Sequence, residues 1–264
     1  MAYQAATIRR VVAVVLCGLA WATGLAIGLH PADPVAAQGL PGIHGGDNRL
    51  SIDTPDGALS AVGRLNLGGT GHCTGTLIAP AVVLTAAHCL YSQRLQRYFP
   101  PTAVHFLLGY SRERFLAHRR AMQVIPADGF VPGGRHAVDL AGHDWALVVL
   151  EAPVDHPPLP LSTAGLTPDS TIVQAGYSQD RAHILSIDQE CQILGAVEDT
   201  PLIAHNCDAV GGDSGSPILV MGPNGLQVAA VHSATSPDFG LAIPAAVFSG
   251  AVDALLAQTA AAPP

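Results

Sequence analysis

The segment CTGTLIAPAVVLTAAHC, Cys73–Cys89, holds two apolar runs of strand length, Gly75–Ile78 and Val82–Thr85, with Pro80 between them. Their Val, Ile, Leu and Thr content suits a pleated, half-buried surface. The segment ends by setting His88 directly after the second run, beside a cysteine that can pin it. The same short grain recurs along the chain. Leu59–Leu67, Val104–Leu108, Trp145–Leu150, Ile172–Ala175, Ile218–Val220 and Val228–Val231 are apolar runs separated by Gly, Pro and Asn. Helical periodicity first shows at Ala245–Gln258, where Val247, Phe248, Ala251, Val252, Leu255 and Leu256 recur at three- and four-residue steps. Many strands and one terminal helix predict an all-β protein, a barrel or a sandwich.

The stretch EAPVDHPPLPL, Glu151–Leu161, is too rich in proline to be a central strand. It reads as the connector between an N-terminal half, residues 38–155, and a C-terminal half, residues 156–264. The arginine-rich piece Arg112–Arg120 reads as a solvated strand or loop.

Composition narrows the chemistry. The chain has 264 residues, 49% hydrophobic and 12% charged, which is globular rather than disordered. Its 12 basic residues are all arginine, so a lysine base or Schiff base is excluded. A net charge of -8 argues against a nucleic-acid partner, because phosphate binding needs a basic surface. No cofactor is expected.

The first 37 residues resemble a leader rather than a part of the fold. Arg9 and Arg10 precede an apolar run, Val11–Ala22, and Val35-Ala36-Ala37 offers the small residues that a signal peptidase reads. The rival is a membrane anchor, although Gly18, Gly24 and Pro31 leave the run only marginally long enough to span a bilayer. Cleavage predicts a secreted protein, extracellular or periplasmic, with no stable membrane association; separately, a monomer is expected. It also leaves four cysteines, and an even count in an exported chain reads as disulfides. The pairs Cys73–Cys89 and Cys191–Cys207 each close a short loop within one half. The rival is zinc, but the tightly spaced ligand pairs of structural zinc sites are missing, so no metal is expected.

Ser214 lies in HNCDAVGGDSGSPIL, His205–Leu219, among small residues. A serine hydroxyl is a weak nucleophile until a base removes its proton, and that base is usually a histidine held by a carboxylate. His88 follows a strand. Asp144, in HDWALVVL, stands at the mouth of a buried strand, where a carboxylate needs a hydrogen-bonding partner. An α/β-hydrolase elbow would need G-x-S-x-G, and Ser216 breaks that pattern at its last place.

CTGTLIAPAVVLTAAHC, DWALVVL and GGDSGSP resemble the His, Asp and Ser blocks of the chymotrypsin-like (trypsin-like) serine peptidases, and they occur in that family's order. The likeness runs from about residue 43 to residue 258. It implies two six-stranded antiparallel β-barrels with a C-terminal helix, and a protein or peptide substrate bound in the cleft between them. It implies Ser214 as nucleophile, His88 as general base and then acid, and Asp144 as the group that orients His88. The main-chain N–H groups of Gly212 and Ser214 would form the oxyanion hole. Ser233 matches a serine that supports the aspartate. Asp213 matches the acid that pairs with a newly cut N-terminus, and Ile43-His44-Gly45-Gly46 is similar to such a terminus; the other reading of that stretch is a Gly-rich leading loop.

The same resemblance implies Asp208, Ala209, His232, Ser233 and Gly240 at substrate-binding positions. Specificity stays divided. Asp208 stands six residues before Ser214, where trypsin carries the acid that takes Arg or Lys. His232 immediately before Ser233, Ser216 and the HNCD approach are similar to the bacterial glutamyl endopeptidases, in which that histidine binds a glutamate carboxylate. Ala209 departs from that subgroup, which usually has Thr or Ser there. Asp208 and His232 facing each other, which leaves a small or mixed preference, and Asp208 as a turn residue beside Cys207 are further readings. The non-enzyme alternative is a catalytically inactive serine-protease-like binding protein, although all three residues and both flanking glycines are present.

Overall fold

The computed structural model describes residues 40–53, 55–132 and 142–261. The expected leader lies outside them. Among the described residues sixteen strands and one long helix follow in chain order. The first nine are β1 (Leu50–Ile52), β2 (Val62–Leu67), β3 (Gly71–Ala79), β4 (Val82–Thr85), β5 (Tyr91–Ser92), β6 (Arg97–Tyr98), β7 (Val104–Leu108), β8 (Ala117–Pro126) and β9 (Ala146–Leu150). The rest are β10 (Ile172–Gly176), β11 (Leu185–Asp188), β12 (Ile193–Ala196), β13 (Ile203–His205), β14 (Pro217–Gly222), β15 (Gly225–Thr235), β16 (Gly240–Pro244) and helix α1 (Ala245–Ala261).

In the N-terminal half, β2-β3-β4-β9-β8-β7 closes into a six-stranded antiparallel barrel. Leu65, Leu77, Leu84, Phe106 and Leu147 fill it. Closure removes every free edge, which is how strands this short hold together. The expected run Leu59–Leu67 divides: Gly57–Ala61 makes a 3-10 turn, and the strand starts at Val62. The arginine-rich piece runs into β8 as a solvated strand, with Arg120 paired to Glu151 on the surface.

The C-terminal half differs in strand count from the six-stranded expectation. It is an eight-stranded sheet, β1-β11-β10-β14-β15-β16-β13-β12. The extra edge strand β1 comes from before the first barrel and pairs Leu50 with Ile187. Buried Arg49 fixes it there by gripping Asp180 with both terminal nitrogens (3.0 and 2.8 Å) and Asp47 as well. The architecture remains mostly β in two halves, with one helix behind. Helix α1 buries Ala245, Phe248 and Val252, while Val247 stays 39% exposed. Phe248 packs on Trp145, with ring centroids 5.7 Å apart, next to Asp144.

Both expected disulfides are formed, Cys73–Cys89 and Cys191–Cys207, each across 16 residues. Closing a loop of that length stabilises a fold by about 3 kcal/mol. The four sulfurs are thereby committed to one another and offer no thiolate to zinc.

Candidate active site

The barrel register builds the first part of the site. Thr85 on β4 pairs with Ala146 on β9, so the turn after β4 and the approach to β9 leave the barrel at the same end. His88 sits in that turn and Asp144 in that approach. Asp144 is 2% exposed, and three donors meet its carboxylate. Oδ1 accepts the His88 main-chain N–H at 2.8 Å, and Oδ2 accepts the His88 Nδ1–H at 2.7 Å. The Ser233 hydroxyl donates to the same Oδ2 at 2.5 Å. A β-bulge turns Ser233 that way: β15 pairs His232 with Ala242 and then Ala234 with Leu241, leaving Ser233 unpaired on the partner strand. With its Nδ1 proton held by Asp144, the neutral His88 ring keeps a lone pair on Nε2.

Cys89 Sγ lies 3.9 Å from His88 Nε2 and 3.8 Å from Ser214 O, so the disulfide sits between the ring and the serine main chain. Among the described residues Ser214 Oγ makes no hydrogen bond to the ring. Serine–histidine contacts in unliganded sites are often longer than a hydrogen bond.

Main-chain direction around Ser214 follows from two bonds. In a planar trans peptide the N–H points opposite to the C=O. The Gly211 carbonyl accepts from Gln179 N at 2.6 Å, which aims the Gly212 N–H the other way. The Asp213 carbonyl accepts from Ser216 N at 2.9 Å, which does the same for the Ser214 N–H. Among the described residues neither N–H has a protein acceptor. Gly212 carries φ +96°, and a Cβ there would lie 2.4 Å from Tyr177 O, so only glycine fits.

Asp213 is buried beneath this turn. Its carboxylate accepts Ser178 Oγ–H (2.8 Å) and Val210 N–H (2.9 Å). Burial pushes its pKa from 3.8 to about 7. The raised value stabilises the fold fully below the unfolded pKa, and that contribution is lost as pH climbs through the folded pKa. Asp213→Asn removes the titration. The variant should therefore gain stability relative to its parent between pH 4 and pH 7, by about 4 kcal/mol in total, and level off above. Denaturant titrations across that range check this, and a flat difference would refute it.

The Ile43 N–H is bonded to Leu40 O at 3.0 Å in a turn, so residues 40–49 form a leading loop here. Asp208 anchors that loop. Its Oδ1 accepts His44 N–H at 2.7 Å and its Oδ2 accepts Asn48 N–H at 2.9 Å. At 3% exposure, with both oxygens engaged, Asp208 is a structural anchor rather than a receptor for a basic side chain. It does not pair with His232. Buried Ala209 also holds the loop, donating its N–H to Gly42 O at 2.9 Å. A Cβ on Gly42 would lie 2.0 Å from Ala209 O and 2.5 Å from Thr235 Cγ2, so the loop passes close against both residues.

His232 belongs to a chain of neutral histidines. Cys207 N–H donates to His205 Nδ1 at 3.2 Å, which leaves the His205 proton on Nε2. That proton points at His232 Nδ1, 3.0 Å away, and so puts the His232 proton on Nε2, facing Thr235 Oγ1 at 3.1 Å. Burial, with the neighbouring His88 adding to it, takes the His232 pKa down to about 3, and burial drives His205 well below the ordinary range. His232 is therefore a neutral donor at pH 7, not a cation. Gly240 makes room for this chain, since a Cβ there would lie 2.4 Å from the His205 ring.

Of the expected residues, His88, Asp144, Ser214 and Ser233 converge with Gly212. His232 lies behind them, Gly240 admits its partner, and Asp208 turns away. His205 and Thr235 are additions. His205 stands in the same quoted stretch as Ser214, but nothing local signals its reach to His232.

A closed six-stranded barrel joined to a second β-sheet, with these residues at one end of the barrel, defines the chymotrypsin-like class. The sequence profile of the family described as Trypsin matches residues 52–249, and the chain belongs to that family. It is similar to Serine protease 23 of Bos taurus (27% identical over 199 residues) and of Homo sapiens (26% over 200 residues), each match covering 67% of this chain. The chain spans about half the length of these relatives (51% and 50%). Among solved structures, a Glu endopeptidase in complex with MPD superposes with a TM-score of 0.68 at 23% identity, covering 82% of this chain and 100% of that one.

Proposed function

We propose that the protein is an exported serine endopeptidase that works through Ser214, His88 and Asp144 and prefers an acidic residue before the scissile bond. One observation carries the catalytic part: a histidine held through Nδ1 by a buried carboxylate, beside a serine flanked by two uncommitted peptide N–H groups. His88 would take the Ser214 proton as Oγ attacks the peptide carbonyl. The oxyanion would sit on the Gly212 and Ser214 N–H groups. His88 would then give the proton to the leaving amine, and water would hydrolyse the acyl-enzyme by the same steps. Two disulfides favour an oxidising compartment. Among the described residues no helix is long and apolar enough to cross a membrane.

The acidic preference rests on Thr235. Because His232 donates to Thr235 Oγ1, the threonine hydroxyl proton is free to donate onward to a substrate carboxylate. Against the trypsin-like alternative, Asp208 is buried and its carboxylate holds the 40–49 loop. Mass spectrometry of peptides from a digested protein mixture should show cuts after Glu. Thr235→Val, which removes the hydroxyl that would meet the carboxylate, should lower kcat/KM for Glu substrates by about 10- to 100-fold, the value of a hydrogen bond to a charged group, and His232→Ala, which removes the donor that orients that hydroxyl, should lower it as well. Cuts clustering after Arg would end the acidic reading. An undiminished Glu preference in His232→Ala would end the role of His232. A serine-reactive phosphonate that labels nothing would make the protein a binding module instead.

A further inference from the structure

Thr74 lies on β3 and is fully buried. Its main-chain N–H donates to Ser214 O at 2.9 Å. Its hydroxyl donates to Gly212 O at 3.0 Å and accepts the Tyr177 N–H at 2.8 Å. Its own carbonyl accepts from Thr85 Oγ1 at 2.8 Å. Every polar group of this one residue is therefore engaged, and two of the bonds land on the carbonyls of Ser214 and of Gly212, the two residues whose N–H groups are uncommitted.

The second element that Thr74 touches matters equally. Tyr177 leads to Gln179, whose N–H holds the Gly211 carbonyl and so aims the Gly212 N–H. Tyr177 is gripped on its other side by His72, two residues before Thr74, which donates Nε2–H to Tyr177 O at 2.8 Å. The tautomer follows from Arg64, a donor that approaches His72 Nδ1 at 3.3 Å and needs a lone pair there. Desolvation and the Arg64 charge both lower the His72 pKa, which keeps the ring neutral in that role.

Gly212 thus lies between two pinned peptides. The one before it is held through Gln179 and the one after it through the Thr74 hydroxyl. Glycine by itself resists rotation least of all residues, because no Cβ restricts its φ and ψ. The restraint must come from its neighbours, and the Thr74 hydroxyl links both braces. We propose that Thr74 is a positioning residue for the oxyanion hole: its hydroxyl ties the 177–179 segment to the Gly212 carbonyl and so keeps the Gly212 N–H aimed at the reacting carbonyl oxygen. This rests on the peptidase reading above.

Thr74→Val keeps the shape and removes the hydroxyl, and Thr74→Ser keeps the hydroxyl and removes the methyl. Rates are expressed per active site titrated with a phosphonate, so unfolded protein does not enter. Thr74→Val should lose kcat by up to about 100-fold with KM held, as expected when a catalytic group shifts without loss of substrate contacts. Affinity for a peptide aldehyde, whose serine adduct carries an oxyanion, should fall by the same factor. Affinity for the matching peptide product, which forms no adduct, should hold. Thr74→Ser should recover most of the loss. If Thr74→Val does not fold, Thr74→Ala, which leaves space for water, is read by the same ratio of aldehyde to product affinity. Unchanged kcat, aldehyde and product affinities falling together, or Thr74→Ser behaving like Thr74→Val would each overturn the proposal while leaving the peptidase intact. A wild-type protein that neither turns over substrate nor takes the phosphonate would overturn the peptidase reading itself, and this one with it.

Discussion

Ser214→Ala should abolish peptide hydrolysis, lowering kcat by about 10⁶-fold, as removal of a serine nucleophile does elsewhere. The physical case is that everything else at the site serves this oxygen. On the proposed reading Asp144 fixes the His88 ring so that Nε2 keeps a lone pair, and the uncommitted Gly212 and Ser214 N–H groups would receive the oxyanion that an attack on the carbonyl creates. Residual hydrolysis of about 10³–10⁴ over water would remain from those N–H groups and from binding. The fold should be indifferent. Among the described residues the Ser214 hydroxyl makes no hydrogen bond, and the residue is held by its main chain, Thr74 N–H on its carbonyl at 2.9 Å. Circular dichroism and the melting temperature should match the parent, KM should hold, and phosphonate labelling should vanish. Unreduced turnover in a folded Ser214→Ala protein would sink the catalytic assignment.

Much of the fold was legible because its signals are local. Val82–Thr85 and Val104–Leu108 read as strands from composition alone, and the observed bounds agree. The terminal helix announced itself by periodicity, though Val247 turned outward while Phe248 and Val252 turned in. β1 stayed hidden. Three residues, Leu50–Ile52, make a poor strand by themselves and become one only because Arg49 is carried to Asp180, 131 residues away.

The site divides the same way. His88, Asp144 and Ser214 each sit in a recognisable block, and the fold brings His88 onto Asp144 as the proposed triad requires. Roles that depend on distant partners were not readable. Asp208 looked like a specificity acid until the fold brought His44, 164 residues earlier, onto its carboxylate. Resemblance places His232 at a carboxylate-binding position, but its link to His205, which makes it a neutral donor toward Thr235, spans 27 residues and shows only in the fold. Thr74 resembled any strand threonine, since its reach to Gly212 spans 138 residues.

Asp144→Asn is the second large effect, an expected loss of about 10⁴-fold in kcat with geometry nearly intact. The carboxylate accepts three protons and donates none: His88 N–H on Oδ1, and His88 Nδ1–H with Ser233 Oγ–H on Oδ2. An amide has one accepting end and one donating end. If its NH₂ takes the place of Oδ1, two donors face each other at the His88 main chain in a buried site. That leaves the amide to turn the other way, with its oxygen on the main-chain N–H and its NH₂ toward Nδ1. The ring must then accept at Nδ1 and carry its proton on Nε2, where it has no lone pair for the Ser214 proton. The Ser233 hydroxyl rotates without difficulty, so the fold absorbs the change and the chemistry does not. Steady-state kinetics should show kcat falling with KM held. NMR of ¹⁵N-labelled imidazole should show the proton moving from Nδ1 to Nε2. A variant with full activity, or one inactive with the Nδ1–H tautomer retained, would show that Asp144 does not act by setting the state of His88.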